Sequence, residues 1–119
     1  MVEFVLVLPV LLIVLFGIIQ FGLTFSHYVA LTDAVRAGAR TAAVSAQLPP
    51  TTRQNVITSK VKTASGDLDA SKVNVTISSP TWQHGDDVSV TATYPYSVSL
   101  MGIVVASGNL SSTTTERVE

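Results

Sequence analysis

The chain has 119 residues, no cysteine, seven Lys and Arg against eight Asp and Glu, and a net charge of -1. That length holds one domain with an appended element, the near-neutral balance gives no electrostatic footprint for nucleic acid, and the missing cysteine excludes disulfides, thiolate zinc sites and a cysteine nucleophile. Charged residues make up only 13%, against roughly 25% in an average soluble domain, and the mean hydropathy is +0.46, so an apolar excess is localised or the chain lives against lipid or other chains.

The excess lies at the start. No formally charged residue occurs from Phe4 to Thr32, and all four Phe fall in the first 25 residues. About 20 apolar residues cross a bilayer core as a helix, and this run is too uniformly apolar for the surface helix of a small domain. A removable signal peptide is the first alternative, but it calls for a basic flank, a short apolar segment and a small-residue cleavage site. The first basic residue here is Arg36, and the apolar run merges into a further helical pattern. The same lack of a basic flank leaves the positive-inside rule without purchase.

Three features interrupt the run. Glu3 puts a carboxylate at the mouth of an apolar helix, costly by a few kcal/mol or more if it enters hydrocarbon. At an interface it is favoured by the positive end of the helix dipole; inside an assembly it needs a cation. The α-amino group of Met1, or that of another copy, is the cation nearest in sequence. Pro9 removes a helix hydrogen bond, which membrane helices tolerate better than soluble ones. Gly17 and Gly22 permit a kink or close helix approach, but their spacing of five makes no GxxxG face.

The helix is expected to continue beyond the membrane-length segment. Alanines fill residues 34 to 46, Asp33, Arg36 and Arg40 share one face, and no proline occurs until Pro49-Pro50. A single helix over residues 2 to 47 would be a rod about 70 Å long at 1.5 Å per residue. Residues 1–25 read as a membrane or filament-core half, residues 26–48 as an amphipathic half, and residues 49–119 as a small head.

The head reads as α+β. Thr51-Thr52-Arg53-Gln54 suggests a capping box opening a second helix with Val56, Ile57, Val61 and Ala64 inward and Gly66 closing it. Period-two alternation then predicts strands near 72–79 and 87–94, the second ended by Pro95, and a Thr-rich strand near 110–118. Ser97 to Gly108 reads as a loop carrying an apolar patch, Ile103-Val104-Val105. Hairpin-like connections imply an antiparallel three-stranded sheet, with Val73, Val75, Ile77, Val88 and Val90 inward. The 70 residues from 50 to 119 are marginal for an independent core, so the sheet is expected to pack on the long helix.

Little in the sequence suggests chemistry. His27 and His84 share no motif, and no catalytic residue, cofactor site or metal site is expected. Asp67-Leu68-Asp69-Ala70-Ser71 starts like a calcium loop but lacks its glycine and closing glutamate, which favours a solvated turn; Asp86-Asp87 reads as a polar hairpin corner. Trp82, Tyr94 and Tyr96 are expected to cover a small core rather than form a carbohydrate or partner surface. Asn74-Val75-Thr76 and Asn109-Leu110-Ser111 match the short glycosylation triplet.

Val2-Glu3-Phe4-Val5-Leu6-Val7-Leu8-Pro9, Phe16-Gly17-Ile18-Ile19-Gln20-Phe21-Gly22 and Ala34-Val35-Arg36-Ala37-Gly38-Ala39-Arg40-Thr41-Ala42-Ala43 resemble TadE-like pilins of the type IV pilin superfamily. The closing Thr113-Thr114-Thr115-Glu116-Arg117-Val118-Glu119 is similar to the end of that family's chains. The resemblance implies a non-enzymatic pilus subunit, processed by a prepilin peptidase, held in the bacterial inner membrane and then assembled by pilus machinery into an extracellular homo-oligomeric filament through residues 1–47. It makes Met1, Glu3, Phe4, Pro9, Gly17 and Gln20 the assembly residues, Gln20 standing where many relatives carry Glu. The alternatives are a single-pass anchor for an extracytoplasmic binding domain, and a phage-like coat protein, which would not usually need a head of this size.

Overall fold

The computed structural model describes residues 1–79, 81–100 and 102–119. Helix α1 spans Val2–Val44 and α2 spans Pro50–Ala64; a single 3-10 turn, Ala70–Lys72, leads to strands β1 (Asn74–Ser78), β2 (Asp87–Leu100) and β3 (Ile103–Arg117). The strands form one antiparallel sheet in the order β1-β2-β3. This is the expected α+β architecture of a long apolar stem bearing a small head. A 43-residue helix is about 65 Å long at 1.5 Å per residue, and the molecule measures 71 × 23 × 19 Å.

The upper part of α1 is the spine of the core. Leu31, Ala34, Val35, Gly38, Ala39 and Ala42 recur at spacings of three and four and are all buried, the stripe by which a helix buries one face. Against it pack Ile57 and Val61 of α2, Val73, and Val88, Val90 and Ala92 of β2, with Val118 closing the end. Val75 and Ile77 are half-buried at the margin of this cluster, on the inward face of β1. On the outer face, Ser89–Thr115 and Thr91–Thr113 pair through their hydroxyls at 2.8 and 2.9 Å. Alternation therefore set the inward face correctly.

Small residues let the layers close. A Cβ on Gly38 would run into Cγ2 of Val61 and stand 3.6 Å from Cγ1 of Val90. Glycine is costly inside a helix, and here it is the residue that lets α2 lie against α1.

Helix α1 ends at Val44, three residues short of the expected position. Ser45 turns back on Ala42, its N–H and Oγ both donating to that carbonyl (3.2 and 3.0 Å), a local bond that competes with continued helix. The Ala43 carbonyl, an orphan of the last turn, accepts the N–H of Glu119 at 3.0 Å. The close of the chain is thereby fastened to the end of the stem helix.

The expected capping box is absent. Helix α2 starts at Pro50 with Pro49 as its N-cap and no side-chain cap bond, so Thr51 and Gln54 lie inside the helix. Proline at the first helical position has no N–H to leave unsatisfied. At the other end Gly66 has φ +62°, directly after the C-cap Ser65, as expected of a left-handed closing residue.

The larger correction is the β2–β3 hairpin. Neither Pro95 nor the segment 97–108 interrupts it: β2 runs to Leu100 and β3 begins at Ile103, in register except for a bulge at Val98/Ser99. Strand β1 pairs with β2 only from Ser89 to Thr93, so β2 is an edge by Pro95, the place where a sheet accepts proline. Opposite Tyr96 stands Gly108, whose missing side chain gives room to the tyrosine ring; an added Cβ would be 3.2 Å from Cε1.

Candidate functional site

Burial divides α1 sharply. From Met1 to Ala30 no residue is buried, and large apolar side chains such as Phe4, Leu6, Ile18, Phe21 and Phe25 stand open, Phe21 at 72%. From Leu31 onward the inward positions are at or near zero. The open half is long and apolar enough to cross a membrane. A bare cylinder of Leu, Ile, Val and Phe needs lipid or other chains around it.

The residues singled out from the sequence occupy this half, in two groups. Met1 is the N-cap, its carbonyl receiving the Val5 N–H at 3.2 Å; Glu3 lies in the first turn, and Phe4 follows on the open surface. Among the described residues Glu3 makes no ion pair within the chain. Pro9 lies inside α1, which continues through it and through Gly17 as one helix. A Cβ on Gly17 would meet nothing within 4 Å, so any close approach that this glycine serves is to something outside the chain. Gln20 belongs to a different neighbourhood. It lines a groove with Thr24, His27, Tyr94, Tyr96 and Ser97, where the hairpin comes down onto the stem. There His27 and Tyr94 meet edge to face, their ring centroids 5.8 Å apart.

The head's polar residues serve the head itself. Asp69 caps the 3-10 turn, its Oδ1 accepting from Ser71 N at 3.0 Å and Ser71 Oγ at 2.6 Å. The Ser71 hydroxyl, then its N–H, holds the Asp69 carboxyl below the ordinary value of 3.8. Asp86 accepts from Thr81 Oγ1 and, at 3.0 Å, from Gln83 N, and these two donors, Thr81 first, lower its pKa likewise. These are turn-forming carboxylates, as the solvated-turn reading had it. Asp87 stands 3.9 Å from Arg117, and Asp33 3.7 Å from Arg36, both pairs exposed; such pairs contribute little.

Sequence reasoning missed Arg53. Its side chain is buried and donates from Nε to Ser45 O (3.1 Å) and from Nη2 to Ala46 O and Leu48 O (both 2.8 Å). Trp82 lies over the guanidinium, 4.4 Å from Cζ to ring centroid, so this aromatic covers the core edge as expected. One arginine thus satisfies the turn between α1 and α2. No local pattern signals it, because its partners are backbone carbonyls of a turn whose shape the sequence does not spell out.

Residues 1–40 match the family model of TadE-like proteins. No curated protein and no solved structure matches the chain. The matched segment contains the whole bare half of α1 and most of the stripe that carries the head. Together with a membrane-length apolar helix, it fits a Tad-pilus-related, membrane-anchored protein.

Proposed function

We propose that this chain is a structural pilus subunit that polymerises through the bare half of α1, without catalytic activity of its own. It waits in the bacterial inner membrane, is processed and handled by prepilin peptidase and the pilus assembly machinery, and ends in an extracellular filament. The observation that carries the reading is the all-round exposure of an apolar, TadE-like helix whose other end is fully built into a core. Lipid covers such a helix before assembly and the helices of neighbouring copies cover it afterwards, so one surface serves both states.

Glu3 gives that exchange its register. Among packed helices its carboxylate would be buried, and an unpaired buried charge is expensive. No Lys or Arg lies between Met1 and Arg36, and among the described residues Glu3 makes no ion pair within the chain; in this reading a neighbouring copy supplies the cation. A subunit shifted along the axis would leave both charges unpaired in an apolar medium. Shearing of surface material followed by electron microscopy and identification of the subunit tests the proposal. Filaments containing this chain are expected; a chain found only with membranes would instead make it a single-pass anchor for an extracytoplasmic domain.

A further inference from the structure

The charges of the head are segregated. Where α2 lies against α1, Arg36, Arg40 and Lys60 line an open groove floored by Ala37, Thr41 and Val44. Asp33 stands 3.7 Å from Arg36, while Arg40 and Lys60 make no ion pair among the described residues. The opposite balance holds where the sheet ends. Asp86, Asp87, Glu116 and Glu119 stand there around Arg117, brought together by the Asp87–Arg117 pairing and by the bonds of Val118 to the turn and of Glu119 to α1. The Asp86 carboxylate is taken up by its own turn, and Asp87 faces Arg117. That leaves Glu116 and Glu119, exposed and, among the described residues, without an ion pair.

The two patches lie on opposite sides of the buried stripe of α1. Thr41 lines the groove, and the Ala43 carbonyl accepts the N–H of Glu119; at about 100° per residue these two helix positions point about 200° apart. A patch that pairs with a different patch on the next copy makes a heterologous contact, which repeats as a helical filament wherever its rotation does not close a ring; a twofold dimer needs one self-complementary patch instead. The patches also differ in height. Glu119 is held at Ala43, beyond Arg36 and Arg40 along the helix, so the acidic end stands about 5–10 Å higher on the stem at 1.5 Å per residue. Lipid does not reach the groove. With Glu3 at one interface, a bilayer core takes up about 20 helical residues and ends near Leu23, and Arg36 lies about 20 Å beyond.

We propose that the groove of Arg36, Arg40 and Lys60 receives the acidic end, Glu116 and Glu119, of a second copy of this chain lying parallel to the first and set about 5–10 Å lower, towards the Glu3 end of the stem. Each such exposed pair contributes little by itself. What the arrangement supplies is choice of register and partner, because a wrong shift sets like charges against each other across the interface. The groove also offers that copy an apolar floor, with Val44 63% exposed. The proposal rests on the chain assembling into filaments.

Exchange of the charges tests it, with sheared filaments, membrane-bound subunit and the melt of the head measured on the full chain. Arg40→Glu with Lys60→Glu is expected to lower filament yield by about tenfold or more, and Glu116→Lys with Glu119→Lys likewise, since each sets like charges together. The four changes combined should restore most of the yield, and all these exposed positions should leave subunit amount and melt unchanged. Normal yield from either pair of changes, with wild-type filaments present, overturns the interface and leaves the pilus reading standing; absence of wild-type filaments overturns both. A loss at the groove that the four changes do not rescue gives the groove to another anion and overturns the proposal. The chain has no cysteine, so Lys60→Cys with Glu116→Cys gives a second readout without charge reversal. Mild oxidation of sheared filaments is expected to produce a ladder of disulfide-linked multimers. No ladder, or dimers from Lys60→Cys alone, would contradict a heterologous contact between these two patches.

Discussion

The two halves of α1 are one helix built for opposite purposes. Above Leu31 the side chains facing the head are small, and a methyl group added at Gly38 has no room. Below it the side chains are large and a methyl group added at Gly17 or Gly22 meets nothing. The upper half has surrendered its surface to its own chain; the lower half keeps it for another environment. Helix propensity is higher in the alanine-rich upper half, but that is not what separates their roles. What does is whether the apolar positions form a stripe or cover the whole circumference.

Removing the upper half breaks the comparison most severely. A fragment of residues 49–119 loses Leu31, Ala34, Val35, Ala39 and Ala42 from the core, and it is expected to show no cooperative melt. A transition as sharp as that of the full chain would make the head independent of its stem. Single truncations sharpen the contrast. Leu31→Ala should cost about 2–5 kcal/mol, as buried leucines do, while Leu11→Ala, on the bare half, should change the melt of the head by less than about 0.5 kcal/mol; thermal denaturation of both variants in detergent measures the difference.

A gain of one carbon tests the same boundary from the other side. Gly38→Ala improves helix propensity yet forces the β-branched, buried Val61 out of place, and overpacking of this kind costs about 1–3 kcal/mol. Gly17→Ala and Gly22→Ala should leave the head's melt unchanged.

What was legible follows from the same physics. The stripe at Leu31–Ala42 and the alternation at Val88–Ala92 are periodic, and periodicity is visible in sequence, so the stem, the sheet and its inward face could be read. Pro95 misled, because whether proline ends a strand depends on whether a neighbour still runs beside it, and β1 has stopped by then. The tip of the hairpin looked like a loop because Ile103-Val104-Val105 does not alternate, and a strand with two apolar faces has no period to find. Arg53 serves backbone carbonyls of a turn that no motif announces, and α1 ends early where Ser45 bonds Ala42 and Glu119 takes up the Ala43 carbonyl, neither of which has a sequence pattern. Of the candidate site, Glu3, Phe4 and Pro9 were found where the apolar run placed them, but nothing local announced that Gln20 sits under a hairpin.

The smallest expected effect lies in the head's turns. Asp69 and Asp86 have lowered pKa values because Ser71 and Thr81, with nearby N–H groups, bond the ionised forms. A carboxylate depressed on folding stabilises above its unfolded value and stops doing so as pH falls through its folded one. The melting temperature should therefore hold from neutral pH down to about pH 4 and decline below it. The double variant Asp69→Asn, Asp86→Asn should be less stable at neutral pH and show a shallower acid decline; an unchanged decline would place the acid sensitivity elsewhere.

The proposed division of α1 into a folding half and an assembly half is tested most directly at Glu3, by measuring two quantities on one variant. Glu3→Ala should leave the amount of membrane-bound subunit and the melt of its head as they are, and should sharply reduce sheared filaments, with Glu3→Gln less severe because it keeps a hydrogen-bonding group. Removing one member of a buried ion pair costs about 3–5 kcal/mol, ample to abolish a helical contact repeated at every subunit. Normal filament yield from Glu3→Ala, or a loss of filaments matched by a loss of folded subunit, would contradict the account.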